Sequence, residues 1–250
     1  MNNRFDHKRS STRQPKPRRD AFSISDVASR IIYEDNHLLV FSKPVGLATM
    51  GASSNEESLF TLAQQYIKIK YQKPGAVYLG VVSRLDLPVS GVVVFARTSK
   101  AASRLNEQFR NQTVQKTYLA LVEGRLYPDE AELVNVICED KVHRRLWIPR
   151  SLDESVKPFD PKEARLKYKV LNRFALTTLI EVSLLTGRKH QIRLQLSHQG
   201  APIIGDGKYG AKPIAEPGIC LHAFQLSLIH PTTKESMTFD SPLPDWSRWK

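Results

Sequence analysis

Apolar positions along this chain fall mostly in short continuous or alternating runs, with two stretches at helical spacing. Ile31-Ile32-Tyr33 runs into a polar turn at Glu34-Asp35-Asn36, and Leu38-Leu39-Val40-Phe41 follows as an apolar strand. Lys43-Pro44-Val45-Gly46-Leu47 ends that strand in a Pro/Gly-marked loop. Leu59, Leu62, Ala63, Tyr66 and Ile69 recur three or four apart, which predicts a helix over 58–70 with one buried face. A second helix is predicted after Thr98 or Ser99 as cap, with Ala101, Leu105 and Phe109 inside and Asn111 at its end. Between the helices, Tyr78, Leu79, Val81 and Val82 lead into the segment Ser83–Gly91, and Val92–Phe95 lead out. Both flanks read as strands. Pro88 fixes φ and Gly91 permits a positive one, so the segment between them is a shaped turn. Further strands are predicted at Lys116–Gly124 and over the hairpin Leu166–Phe174 and Thr177–Leu185, with Leu221–Ile229 as the last. Residues 137–163 fit neither period and predict a hairpin or long loop standing off the core.

Composition changes this picture little. At 250 residues and 41% apolar content the chain can bury a substantial core. No run of ~18 apolar residues exists, so no membrane partner is expected. The charged N-terminus lacks the apolar stretch of a secretory signal. Cys138 and Cys220 lie far apart without a neighbouring Cys or His at ligand spacing, which argues for free thiols in a reducing cytoplasm and against zinc.

Charge changes it more. The formal net charge is +12, a balance that points to an anionic partner. Half of the surplus sits in residues 1–19, which hold seven Lys/Arg against one Asp. Residues 1–22 have almost nothing to bury and read as a disordered basic arm, either a phosphate contact or a solubilising tail, leaving 23–250 as one domain. Lys141, His143, Arg144, Arg145 and Arg150 surround Trp147 in the 137–163 stretch, a pattern open to RNA contact or to a solvated loop with one anchoring ring.

Two places carry candidate chemistry. Asp86 sits beside Arg84 in the shaped turn, and an acid in a turn is most often only solvated or self-capping. Arg188, Lys189, His190 and Arg193 crowd the start of a predicted helix, where like charge opposes the dipole, so a carboxylate or phosphate should compensate them. An Arg held against Asp86 would keep it ionised and oriented. The Gly-rich loop Pro202–Gly210 lacks the spacing of a nucleotide fingerprint.

These stretches together resemble the RluA-type pseudouridine synthase family. The family's His-Arg-Leu-Asp-x-x-Thr-Ser-Gly stands here as Ser83-Arg84-Leu85-Asp86-Leu87-Pro88-Val89-Ser90-Gly91. Its Thr-Gly-Arg-x-His-Gln-Ile-Arg is Thr186 to Arg193, and its Gly-x-Pro-Ile-x-Gly-Asp-x-x-Tyr-Gly is Gly200 to Gly210. Lys116, Tyr118, Ala120, Val122 and Gly124 match a family strand, as do Lys43-Pro44-x-Gly46-Leu47 and Leu221-His222-Ala223 with His230-Pro231. The resemblance covers roughly residues 30–245. It implies an α/β (α+β) domain with a central, mainly antiparallel mixed sheet flanked by helices, a cleft across its middle, and isomerisation of uridine in rRNA or tRNA without a cofactor. It further implies Asp86 as the attacking carboxylate and Tyr118 as the ring that stacks on the flipped base and assists loss of the C5 proton. Arg188 would pair with Asp86, with Arg193 as fallback. Arg84 would fill the place the base left, Leu221 would line the uracil pocket, and His190 and Gln191 would contact substrate. A monomer in the cytoplasm with RNA as partner is expected.

Three positions depart from the family pattern: Ser83 for His, Val89 for Thr, and Gln195 for the His two places after the second Arg. They predict altered bracing of the Asp86 turn and the helix after it. The second reading, from another class, is an RNA-binding or RNA-folding protein on the same scaffold. A carboxylate hydrolase would need a second acid facing Asp86, and the motif supplies none.

Overall fold

The structure is a computed structural model that describes residues 22–51, 57–153, 159–215 and 217–247. The basic arm expected at 1–22 lies outside the described residues but for Phe22. Helix α1 spans Ile24–Ala28, capped by Ser23 and Asp26 in a reciprocal box. Strands β1 (Ile31–Glu34) and β2 (Leu38–Lys43) form a hairpin, and α2 (Leu59–Lys70) follows its Ser58 cap. Next come β3 (Gly80–Val81), β4 (Ser90–Ala96) and α3 (Ser99–Arg110), capped by Thr98. The second half holds β5 (Gln115–Glu123), β6 (Glu130–Asp140), β7 (Arg145–Trp147), β8 (Lys162–Arg173) and β9 (Thr177–Leu184). Helix α4 (Gln191–His198), β10 (Leu221–Ile229) and β11 (Ser236–Asp240) complete it.

Among the described residues, all eleven strands join one sheet in the order β1-β2-β4-β10-β5-β9-β8-β6-β7, with β3 on β4 and β11 on β10. Every pairing is antiparallel except β4 with β10, so the sheet is mixed and mainly antiparallel, as the family resemblance implies.

The two faces of β2 and β4 read directly off the strand period. Leu39, Phe41, Val93 and Phe95 face α1 and α2, while Leu38, Val40, Val92 and Val94 face α3 and β11. Both faces are covered, which is why β4 is an unbroken apolar run. A third cluster joins β5, β8, β9 and β10 to Ile192 and Leu196 of α4.

Three expectations need correction. Ile67, not Ile69, completes the buried face of α2 with Leu59, Leu62 and Ala63, and Ile69, two residues round the helix from Ile67, is 65% exposed. The hairpin expected within 137–163 is present as β6 with β7, but its described residues do not stand off the core: Ile137 and Leu146 pack with Ala164 and with Leu194 of α4. β10 is not the last strand, since the chain turns at His230-Pro231 and returns as β11.

The parallel contact of β4 with β10 depends on Gly91. Its φ is +118°, and a Cβ there would overlap the Ala223 carbonyl oxygen. Strain and overlap together predict that Gly91→Ala lowers stability by at least about 3 kcal/mol in urea titration. A loss below about 1 kcal/mol would show that the two strands can separate at no great cost.

Candidate active site

The sheet's parallel pair brings the chemistry together. The Asp86 turn enters β4 at Ser90, which pairs with His222 of β10, and Leu221 beside it pairs with Ala120 of β5. Asp86, Tyr118 and Leu221 therefore meet at the middle of the sheet, with the 186–193 turn and α4 on the far wall. They line a cleft of about 920 Å³.

The Asp86 turn is held from three sides. Val89 N–H donates to the Asp86 carbonyl at 3.1 Å, closing a β-turn, and Gly46 N–H donates to Leu87 O at 3.0 Å. Thr49 accepts from Leu85 N–H at 3.1 Å and donates to Leu85 O at 2.8 Å. A hydroxyl thus braces the turn from another loop, while Val89 is buried where the family has Thr. Ser83 takes the place of a ladder residue: its Oγ accepts from Val94 N–H at 3.2 Å and lies 3.4 Å from Val94 O. Gln195 does not touch the turn. Its amide nitrogen donates to Asn135 Oδ1 at 2.8 Å and holds α4 to β6, while its buried Oε1 has no partner.

The partner of Asp86 is Arg193, not Arg188. Arg193 Nη1 donates to Asp86 Oδ2 at 2.9 Å. Its Nε and Nη2 grip both oxygens of Asp206 at 2.7 and 2.8 Å, and its guanidinium lies 5.1 Å from the centre of the Tyr209 ring. Arg188 instead donates from Nε to Glu163 O at 2.9 Å and is exposed at the cleft rim. The reason is helical geometry. Arg193 sits inside α4, with its side chain directed at the sheet's centre. Arg188 precedes the helix, on a turn that ends before it reaches Asp86.

Asp206 is the residue that sequence reasoning missed. It is 1% exposed in the Gly205-Asp206-Gly207 loop, and the signal was an acid inside a Gly-rich loop that binds no nucleotide. Its carboxylate meets the compensating charge that the cation cluster requires. Thr49 carried no signal at all. Lys43 is also buried, donating to Pro44 O at 2.9 Å and Leu47 O at 2.8 Å. Burial lowers its pKa to about 7 against the pull of the Asp86 charge.

Other expected residues divide. Tyr118 faces the cleft, and burial beside the Asp86 charge pushes its phenol well above the ordinary range, so it stays protonated. Leu221 is buried at the start of β10, and Arg84 is exposed on the rim. Gln191 is a correction. Its Oε1 accepts from Thr186 Oγ1 at 2.7 Å and Arg188 N–H at 3.0 Å, and its Nε2 donates to Arg165 O at 3.0 Å. Its amide is spent on shaping the turn. His190 has a left-handed backbone, φ 54°, and stands with Nε2 3.6 Å from Asp86 Oδ2 and Nδ1 2.7 Å from the Tyr209 hydroxyl.

A carboxylate fixed by a buried Arg, beside an aromatic ring, in a cleft lined by six Lys/Arg and one acid, has the parts that the class of enzymes attacking a polyanion through a carboxylate needs. Comparison with known proteins names that class. Residues 37–198 match the family model for RNA pseudouridylate synthase. The chain belongs to that family. It is 35% identical over 225 residues to the ribosomal large subunit pseudouridine synthase D of Nitrosomonas europaea, covering 86% of this chain and 62% of that protein. To the dual-specificity RNA pseudouridine synthase RluA of Haemophilus influenzae it is 35% identical over 216 residues, covering 84% and 91%. The fold matches the human RNA pseudouridylate synthase domain containing 4 with a TM-score of 0.72 at 24% identity, covering 88% of this chain and 91% of that one.

Burial, aided by Arg193, Lys208 and Lys189, drives the His190 pKa down from 6.5 to about 4 against the pull of Asp86. Between those values the unfolded chain binds a proton that the native chain refuses, so stability falls as pH drops from about 6.5 to 4. Buried His222 shifts in the same direction. His190→Gln should therefore narrow, without abolishing, the stability difference between pH 7 and pH 5 in urea titration. An unchanged difference would mean that His190 is charged beside Asp86.

Proposed function

We propose that this chain isomerises uridine to pseudouridine in rRNA or tRNA, working as a monomer in the cytoplasm with residues 23–250 as the catalytic domain. The observation that carries this reading is the Asp86–Arg193–Asp206 chain of charge beside Tyr118. Arg193 cannot lose its proton, so it stays a donor to one Asp86 oxygen and leaves the other to attack.

The reaction balances within the substrate. An Asp86 oxygen bonds to the ribose C1′ as the C1′–N1 bond breaks, leaving the electron pair on the uracil. The uracil turns in the cleft and its C5 displaces Asp86 from C1′. The C5 proton then leaves and N1 gains one. No group or electron passes to another molecule, so no cofactor is required. A base inside a helix is out of reach of Asp86, so the uridine must first flip, costing a few kcal/mol of unstacking. Stacking on Tyr118 returns about 1–3 kcal/mol, and Leu221 supplies the apolar side of the pocket. Arg84 on the rim fills the vacated place in the stack. A protonated Tyr118 accepts the C5 proton only by passing its own onward, so it relays rather than acts as a phenolate base.

The test is tritium release from RNA carrying 5-tritiated uridine. Wild-type protein should release tritium and yield pseudouridine on nucleoside analysis. Asp86→Asn should lose activity by at least about a thousandfold while still binding RNA. Release by both proteins at similar rates would remove Asp86 from the chemistry.

A further inference from the structure

Lys116 stands two residues before Tyr118 on β5, so both side chains leave the strand on the same face, and both line the cleft. The lysine reaches across to the 186–188 turn. Its Nζ lies 3.5 Å from where a Cβ on Gly187 would stand, so the ammonium sits against the backbone of that turn. The other cations of this wall are engaged: Arg193 by two carboxylates, Lys189 by Glu139 at 2.7 Å, and Arg188 by Glu163 O at 2.9 Å. The Lys116 ammonium has no ion pair or side-chain hydrogen bond among the described residues. Burial alone lowers its pKa, with no neighbouring charge acting against it. A partly buried ammonium without a counter-ion is unfavourable, and an anion brought by the substrate would offset the cost.

We propose that Lys116 binds a phosphate flanking the target uridine and holds the ribose in place while the base turns against Tyr118. This rests on the pseudouridine synthase reading. Once C1′–N1 breaks, the uracil must move and the sugar must not, so an anchor on the backbone beside the stacking ring keeps C1′ aligned for C5. A lysine suits that task as a point charge on phosphate, needing no fixed fork geometry.

The test uses an RNA stem-loop containing the uridine located by mapping pseudouridine in treated RNA. Two further RNAs carry a neutral methylphosphonate at the phosphate 5′ or 3′ to that uridine. Wild-type protein should bind one of these about tenfold more weakly than the natural RNA. Lys116→Met should bind the natural RNA about tenfold more weakly, be indifferent to the same methylphosphonate, and show a log–log salt slope shallower by about 0.7–0.9. Lys116→Arg should recover most of the affinity. Full methylphosphonate sensitivity in Lys116→Met would overturn the proposal and place the ammonium on the base. If Lys116→Met fails to fold, the wild-type arm decides alone, and no sensitivity at either phosphate overturns the proposal. Absence of tritium release by wild-type protein would end both readings, whereas release without a phosphate effect ends this one only.

Discussion

One guanidinium holds the centre of this protein. Arg193 is 6% exposed, keeps its charge at any working pH, and presents a planar fork of donors. A buried charge of that kind is tolerable only when its donors are met, and here two carboxylates meet them. Asp206 takes the inner edge of the fork in a bidentate grip, which sets the plane. That leaves Nη1 to point at Asp86. The orientation of Asp86 is thus inherited from a loop more than a hundred residues downstream, through Arg193. The Tyr209 ring packs on the guanidinium and its hydroxyl meets His190, so the same loop supports both neighbours of Asp86.

The sheet makes that meeting possible. A chain of hairpins would keep the Asp86 turn and the Leu221 strand apart. The parallel contact of β4 with β10 places both strand starts at the same level, and β5 carries Tyr118 and Lys116 alongside. Gly91 permits the close approach, and Ser90 locks it by hydrogen bonding to His222 Nδ1 at 2.9 Å. The three family departures are absorbed locally: Thr49 braces the turn, Ser83 ties back to β4, and Gln195 moves its bonding to β6.

Local order was legible wherever one physical period dominated. Thr98 caps the helix it precedes, and the Val92–Phe95 run is a doubly covered strand, because caps and burial act within a few residues. Asp86 and Tyr118 were legible only through the family's motifs. Which arginine pairs with Asp86 was not, since Arg188 and Arg193 differ in direction from the helix axis, and direction depends on where α4 docks. Asp206 and Thr49 escaped for the same reason: each matters through a partner far away in sequence. Gln191 was expected to contact substrate through the family's motif, and only the turn's own donors and acceptors show how its amide is engaged.

The most direct test of the central pairing is single-turnover tritium release by Arg193→Lys beside Arg188→Gln, each checked for native melting. Lysine keeps the charge but cannot grip Asp206 and Asp86 together, so Arg193→Lys should slow release by at least about a hundredfold. Arg188→Gln should stay within about fivefold of wild type, as expected for an exposed rim residue. The reverse order, with Arg188 indispensable and Arg193 replaceable by lysine, would contradict the account.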